Sequence, residues 1–231
     1  RPAPRFHPRK RVFGGEFGCL GAMQTVAAKS SHIRFKPWIG DYYGKPQGVF
    51  GGKRVLVLGE SHYGSNDYPR LTIDCVEGQA SGEESYAFWT KIVRAFYNQN
   101  AGQKEKSEFW HSVAFANLVQ EIVGGRARVR PTAEMWASGL IAFPELLACL
   151  RPQVVVGLGQ DVWHYLTVWR HLTKSGKAGP RLRKAPKDMR ETWLCPYKGG
   201  RALVYYVPHP AGPGLRYKDW DGCLKSALDQ I

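Results

Sequence analysis

The sequence lacks the features that define several common classes of protein. It contains no run of about 18 apolar residues, so no membrane-spanning segment is predicted. Its five cysteines are scattered, with no C-x-x-C pair and no nearby cluster of cysteine and histidine. Because metal sites use such spacings, we expect no metal site and no iron–sulfur cluster, and free thiols of this kind fit a reducing cytosol.

Several signatures of enzymes and of secreted proteins are also missing. No G-x-S-x-G motif, no complete G-x-G-x-x-G run and no Gly-Lys-Ser/Thr phosphate loop occurs, which disfavours an esterase or a nucleotide hydrolase. The first residues, RPAPRFHPRKR, are basic and rich in proline, and no apolar segment of signal-peptide length follows them. Secretion is therefore not expected, and a cytoplasmic location is predicted.

Acidic residues are scarce relative to basic ones. The chain has 33 Lys and Arg against 19 Asp and Glu, a net charge of +14, which suits a polyanion or an acidic membrane face. Basic residues concentrate in an arm, residues 1–15, and in residues 170–190. The second segment is predicted to be a solvated loop that can also lie along phosphate groups, with Arg181, Arg183 and Lys184 as the contacts.

The pattern of apolar residues predicts a single α/β domain over all 231 residues. Short apolar runs predict four strands, at residues 55–58, 113–119, 154–158 and 202–207. Apolar residues at helical spacing predict helices at residues 85–97, 131–150, 161–169 and 217–228. Strands that alternate with helices of this length are typical of a parallel sheet.

Polar residues follow these predicted strands. Because parallel strands bring their carboxyl ends to one edge of a sheet, these side chains are expected to meet in one crevice. Each also has a plain structural interpretation, as a turn cap, a loop residue or a group that bonds its own backbone. The polar residues at the strand ends are Glu60, Ser61, His62 and Tyr63 after the first strand, Asn117 in the second, and His209 between two prolines after the fourth.

In this order, the motifs resemble those of the uracil-DNA glycosylase superfamily. The matching parts are strand-Gly59-Glu60-Ser61-x-Tyr63, an Asn closing a second strand, the stretch RPQVVVGLG before a helix, and a strand ending in His-Pro. They span roughly residues 53–217. The resemblance implies a three-layer α/β/α sandwich around a central four-stranded, mainly parallel sheet, in an enzyme that flips a base from DNA and hydrolyses its glycosidic bond.

The resemblance also implies a role for each matching residue. Residues 60–63 are similar to the loop that activates water, Asn117 to the amide that reads the base edge, and His209 to the donor that bonds the departing base. Tyr63 and His62 would then contact the substrate. Residues 214–216 resemble the loop that wedges into the base stack, with Leu215 as the first choice and Arg216 or Tyr217 as substitutes.

The first motif departs from the uracil-specific pattern Gly-Gln-Asp-Pro-Tyr-His. Ser61 stands where that pattern has Asp, and either Ser61 or Glu60 is predicted to position the water. Because a hydroxyl cannot act as a carboxylate base, Glu60 is the candidate general base. Tyr63 keeps the aromatic wall that favours uracil, whereas the Gly-Glu-Ser-His-Tyr variant resembles a divergent bacterial branch that includes anti-phage glycosylases acting on bulky modified cytosines. The predicted substrate is therefore either uracil or a modified cytosine of phage DNA, such as glucosylated hydroxymethylcytosine.

Two other functions remain open from the sequence. A non-catalytic nucleic-acid-binding protein that retains the fold would explain the positive charge and Ser61 equally well. A different hydrolase using Glu60 and His62 is the less favoured alternative. For the preferred glycosylase we expect a monomer that binds DNA and needs no cofactor. Phe88, Trp89 and Trp110 are candidates for stacking on the base, although core packing is the favoured interpretation of each.

Overall fold

The structure is a computed structural model, and it describes residues 31–125, 129–187, 191–212, 215–220 and 222–231. The predicted basic arm at residues 1–15 lies outside the described residues, as does Cys19. Residues 188–190 of the predicted basic loop and Gly214 of the predicted wedge loop also lie outside them.

Within the described residues, seven strands form one mixed sheet in the order β1-β3-β2-β4-β7-β6-β5. The four inner strands, β3, β2, β4 and β7, are mutually parallel, and the other three pair antiparallel at the two edges. The strands are β1 Trp38–Ile39, β2 Val55–Gly59, β3 Ala114–Asn117, β4 Val154–Leu158, β5 Lys177–Ala178, β6 Thr192–Tyr197 and β7 Gly200–Val207.

The prediction of four parallel strands is confirmed for the inner strands, but the predicted size of the sheet is wrong. β1 and β5 have only two residues each, too few to leave an apolar pattern in the sequence. β6 contains Pro196, which removes a backbone donor and is typical of strands near a sheet edge. Such edge strands lack the continuous apolar runs that predict the inner strands.

Six α-helices connect and cover the described strands: α1 Leu71–Ser81, α2 Ala87–Phe96, α3 Gln103–Ser112, α4 Ala133–Leu150, α5 Gln160–Thr173 and α6 Cys223–Leu228. The sequence predicted α2, α4 and α5 but missed α1 and α3, whose apolar residues do not form a strong stripe. The predicted last helix is instead a 3-10 turn, Tyr217–Asp219, followed by α6. The predicted loop at residues 170–190 also needs correction, because it begins inside α5 and contains β5.

The helices lie in layers on the two faces of the sheet. Val55 and Val57 of β2 pack in one core with residues of α1, α2, α3 and α6. Leu56 and Leu58 point to the other face and pack with α4 and α5. All five residues of β2 are buried, as expected for a parallel strand covered on both faces.

One described helix, α4, is long and apolar enough to cross a membrane by length and composition alone. Phe143, Leu146, Leu147 and Leu150 of this helix are buried in the core against the sheet. Core helices pass the same test of length and composition, and packing against the sheet accounts for the apolar residues of α4 that are buried.

Candidate functional site

The carboxyl ends of the four inner strands form one edge of the sheet. Gly59 at the end of β2 is in register with Asn117 at the end of β3, and Leu158 of β4 is in register with Val207 of β7. Three residues of interest lie just beyond these ends: Glu60 directly after β2, Gly159 directly after β4 and His209 two residues after the end of β7. The strand register thus brings polar residues from separate parts of the chain to this edge.

Asn117 lies against a glycine that leaves room for its side chain. A β-carbon on Gly59 would overlap Oδ1 of Asn117 and approach the Phe115 ring at 3.0 Å. Asn117 is buried, its backbone oxygen accepts a 2.6 Å hydrogen bond from Nε2 of Gln120, and its side-chain amide makes no hydrogen bond to another described residue. A buried amide normally finds a partner, so this one is available to a ligand.

His209 lies beside a second glycine that closes the end of β4. Gly159 has φ +102°, and a β-carbon there would lie 3.4 Å from Cβ of His209. The Gly159 N–H donates to the Val207 carbonyl at 2.8 Å, which ties β4 to β7 at this edge. The ring of Phe88 lies 5.3 Å from the His209 ring, whereas Trp110 is fully buried in the core. Of the predicted stacking aromatics, Phe88 is therefore the one that contacts His209.

A backbone contact selects the tautomer of His209. The Ala211 N–H donates to Nδ1 of His209 at 3.2 Å, so a neutral ring carries its proton on Nε2. Burial lowers the pKa of His209 and favours the neutral ring. Arg130 lowers that pKa further, and Asp161 raises it. A neutral imidazole held in this way presents an N–H donor at the edge of the sheet.

Glu60 is a buried carboxylate with a cation beside it. Nη1 of Arg130 lies 3.2 Å from Oε2 and 3.4 Å from Oε1 of Glu60, and the Tyr63 hydroxyl donates to Oε1 at 3.5 Å. Burial raises the pKa of Glu60, and Arg130 opposes this effect. The same Nη1 atom lies 3.2 Å from Oδ2 of Asp161, which also raises the pKa of Glu60.

Arg130 and Asp161 were not predicted as site residues. The sequence marks Asp161 as the start of a helix, and its position shortly after β4, similar to that of Glu60 after β2, is the signal that points to a site role. Arg130 precedes α4 and follows no strand. The sequence carries no local signal that connects it to Glu60, because the two residues are 70 positions apart.

The other residues of the predicted first motif point in different directions. Burial raises the pKa of Tyr63, and the nearby Ser61 hydroxyl, which is itself buried, lowers it. The exposed Tyr63 contacts Glu60 at the rim. His62 is directed elsewhere: Nε2 lies 2.7 Å from Oγ1 of Thr72, the Phe35 ring is 5.1 Å away, and burial lowers the pKa to about 4. We therefore assign His62 to the structural core instead of the predicted substrate contact.

The predicted wedge residue Leu215 also occupies a different environment from the one expected. It is 4% exposed and belongs to the core cluster that includes Trp220. A wedge must project into solvent, so the structure does not support this role for Leu215. Arg216 is exposed and pairs through Nε with Oδ2 of Asp219 at 2.7 Å, whereas Tyr217 is partly buried against the core.

The predicted phosphate contacts Arg181, Arg183 and Lys184 are exposed. Leu182 and Ala185, which alternate with them, are buried in the core. The segment is thus held to the protein by apolar residues while its basic side chains face solvent.

A groove of about 450 Å³ lies near the amino end of β3, away from the carboxyl ends of the strands. Ser112 in its wall precedes β3, which ends at Asn117, so the groove is separate from the strand ends that carry Glu60 and His209. Its other lining residues are Tyr42, Gln47, Val49, Tyr97 and Glu108. Among the residues that the structure describes, no group of three or more His, Cys, Asp or Glu side chains could hold a metal ion.

A scan against protein-family models gives no match for this chain, and a search of curated proteins finds none that matches it in sequence. The fold and the side-chain geometry therefore define the protein as a mixed α/β protein with a polar cluster at the carboxyl edge of its parallel strands. Open α/β sheets bind their ligands at this edge, and the cluster is the candidate functional site.

Proposed function

We propose that the protein is a monofunctional DNA glycosylase of the uracil-DNA glycosylase type, acting in the cytoplasm as a monomer without a cofactor. The observation that carries this proposal is the placement of Glu60, Asn117 and His209 at the carboxyl ends of three of the four inner parallel strands, β2, β3 and β7. These residues follow the strands in the same chain order as in the superfamily that the sequence resembles. The four parallel inner strands also suit that fold.

In the proposed reaction, water hydrolyses the bond between a flipped base and its deoxyribose. The water oxygen bonds to C1′ as the C1′–N bond breaks, and the bonding electron pair leaves with the base. Glu60 accepts a proton from the water, because a carboxylate is the general base that attack on a cationic sugar carbon requires. Water supplies the hydroxyl group at C1′, and the base retains the electron pair.

His209 and Asn117 act on the base itself. Negative charge grows on the departing base, and the Nε2–H of neutral His209 would hydrogen-bond to it, which stabilises the transition state as an oxyanion hole does. The Asn117 side-chain amide, which bonds no other residue that the structure describes, offers one acceptor and two donors to the base edge. Phe88, beside His209, provides a ring on which an extruded base can stack, offsetting part of the few kcal/mol that flipping costs.

The substrate is proposed to be either uracil or a bulky modified cytosine of phage DNA. The experiment that distinguishes them incubates the protein with oligonucleotides containing uracil, hypoxanthine, hydroxymethylcytosine or its glucosylated forms. Abasic sites are detected as strand breaks after alkali, and mass spectrometry of the released base names the substrate.

Variants test the assignment of the site. We expect Asn117→Ala and His209→Ala each to lower abasic-site formation by about a hundredfold or more, in line with the loss of a positioned donor. Matched controls are Asn100→Ala and His171→Ala, two exposed positions away from the strand ends, which are expected to retain activity. Wild-type activity in the two site variants would contradict the assignment.

The second candidate function is a non-catalytic nucleic-acid-binding protein. It is favoured by Ser61, which replaces the Asp of the uracil-specific motif, together with the net charge of +14. Salt-dependent DNA binding without alkali-labile sites in any of the modified oligonucleotides would favour this alternative over the glycosylase.

A further inference from the structure

One arginine is shared by two carboxylates that reach the site from different elements. Nη1 of Arg130 lies 3.2 Å from Oε2 of Glu60 and 3.2 Å from Oδ2 of Asp161. Glu60 follows β2, Asp161 lies in the first turn of α5, and Arg130 comes from the segment before α4. The side chains differ widely in exposure, at 7% for Glu60, 47% for Asp161 and 69% for Arg130.

These exposures indicate what each partner contributes. An ion pair between two exposed side chains stabilises a protein by about 1 kcal/mol or less, so Arg130 and Asp161 would add little by themselves. Glu60 is different, because a buried carboxylate without a partner is costly. A mostly exposed arginine also moves freely unless a second group fixes it, and Asp161 is placed to do so.

We propose that Arg130 and Asp161 are positioning residues of the candidate site, in which Asp161 anchors Arg130 and Arg130 holds the buried Glu60 carboxylate ionised and in place. As a statement about catalysis, this inference rests on the proposed glycosylase function. The arrangement of the three side chains can nevertheless be tested without any substrate. It would also explain how a chain with Ser61 in place of the usual Asp keeps an ionised carboxylate at this edge.

The charged and titratable groups around Glu60 come from four elements. Arg130 lowers the pKa of Glu60, Asp161 raises it, and Tyr63 from the same loop lowers it through its hydrogen bond. The pKa of His209, which lies after β7, is lowered by burial and by Arg130 and raised by Asp161. Removing the arginine charge should therefore raise the pKa of Glu60, and removing the aspartate charge should lower it.

Three variants distinguish the effect of each charge on Glu60 from the anchoring of Arg130 by Asp161. Arg130→Gln removes the cation. Asp161→Asn removes the negative charge but keeps an acceptor oxygen for Nη1, whereas Asp161→Ala removes both. The control is Arg201→Gln, which deletes the same charge from an exposed position at the amino end of β7. Because Arg130, Asp161 and Arg201 are exposed or half-exposed, circular dichroism should show folded protein for all four.

The first measurement is the pH dependence of kcat/KM for abasic-site formation on the best substrate. Arg130→Gln should move the acid limb to higher pH, so that activity on this limb falls about tenfold or more, because the general base loses its ionised form at a higher pH than in wild type. Asp161→Asn should move the limb to lower pH and lower the plateau rate less than Asp161→Ala does. Asp161→Ala should lower the plateau about tenfold, and Arg201→Gln should match wild type.

The second measurement needs no activity. In protein labelled with ¹³C at the glutamate carboxyl groups, the Glu60 signal is assigned from its absence in Glu60→Gln. Its apparent pKa should rise in Arg130→Gln and fall in Asp161→Asn. If wild type forms no abasic sites but Glu60 titrates in this way, the proposed function fails and the positioning role stands.

The inference itself is overturned in a different way. If wild type forms abasic sites while Arg130→Gln and both Asp161 variants reproduce its pH profile and its Glu60 titration, the function stands and the positioning role fails. Equal loss of activity in Asp161→Asn and Asp161→Ala would also overturn the anchoring role, because the asparagine retains the acceptor.

Discussion

The Asn117 side chain occupies the space in which a β-carbon of Gly59 would lie. The two residues are in register across β2 and β3, and Oδ1 of Asn117 would overlap any side chain at position 59. Glycine is therefore required here by a neighbouring polar side chain and not by backbone conformation. The contact also fixes one wall of the candidate site.

Gly59→Ala tests this contact. The added methyl group must displace Asn117, because both residues belong to buried central strands that cannot easily move apart. We expect the free energy of unfolding to fall by about 1–3 kcal/mol, as in other overpacked cores, and abasic-site formation to fall with it. Urea denaturation and the alkali assay measure the two effects.

The matched control is Gly125→Ala, where a β-carbon would meet no atom of the described residues within 4 Å. Its stability and activity should stay near those of wild type. Should Gly59→Ala behave like this control, Asn117 would not be held by the glycine as described.

His62 should make stability depend on pH. Its pKa is lowered from 6.5 to about 4 by burial, so between these pH values the unfolded chain binds a proton that the folded protein does not. Stability from this group is present above pH 6.5 and is lost as the pH falls toward 4. By linkage the loss amounts to roughly 3 kcal/mol at most.

The measurement for His62 is urea denaturation at several pH values between 4 and 7. In His62→Asn the steep part of this dependence should disappear, while the exposed control His171→Asn should keep it. An unchanged pH dependence in His62→Asn would show that the ring is not buried in its neutral form.

A variant of Leu215 can distinguish a role in the core from the wedge role that the sequence predicts. Because Leu215 is 4% exposed, Leu215→Ala should lower the free energy of unfolding by about 2–5 kcal/mol. Arg216→Ala, at an exposed neighbour, should change stability by about 0.5 kcal/mol or less. A Leu215→Ala protein of wild-type stability that forms far fewer abasic sites would instead support the wedge.

The basic segment after β5 is predicted to contact phosphate groups. Replacing Arg181, Arg183 and Lys184 together by glutamine should weaken binding to duplex DNA and reduce the slope of log K against log salt by about 2–3, since each phosphate contact contributes about 0.9. Fluorescence anisotropy at several salt concentrations measures this slope.

Three other exposed basic residues provide the control for charge alone: Lys45, Lys198 and Arg201. Glutamine at these positions lowers the net charge equally but lies toward the amino ends of the inner strands. If both triple variants change the slope by the same amount, the effect belongs to overall charge and not to the segment at residues 181–184.

The inner part of the fold could be predicted because its signals are local. The strand at residues 154–158 was predicted with its observed bounds, since a run of apolar and β-branched residues marks a strand buried on both faces. The sequence does not predict α3, because QKEKSEFWHS is mostly polar. Its two large apolar residues, Phe109 and Trp110, are both buried in the core. Its helical state depends on packing against distant elements.

The sequence by itself determined the four parallel strands and the residues that follow them, because strand length, apolar runs and strand ends are properties of adjacent residues. Only the tertiary structure decided which polar side chains meet. It joined Arg130 and Asp161 to Glu60, directed His62 toward Thr72 and buried Leu215 in the core. The direction of a side chain beyond a strand end is set by contacts with residues far away along the chain, and no local pattern records those contacts.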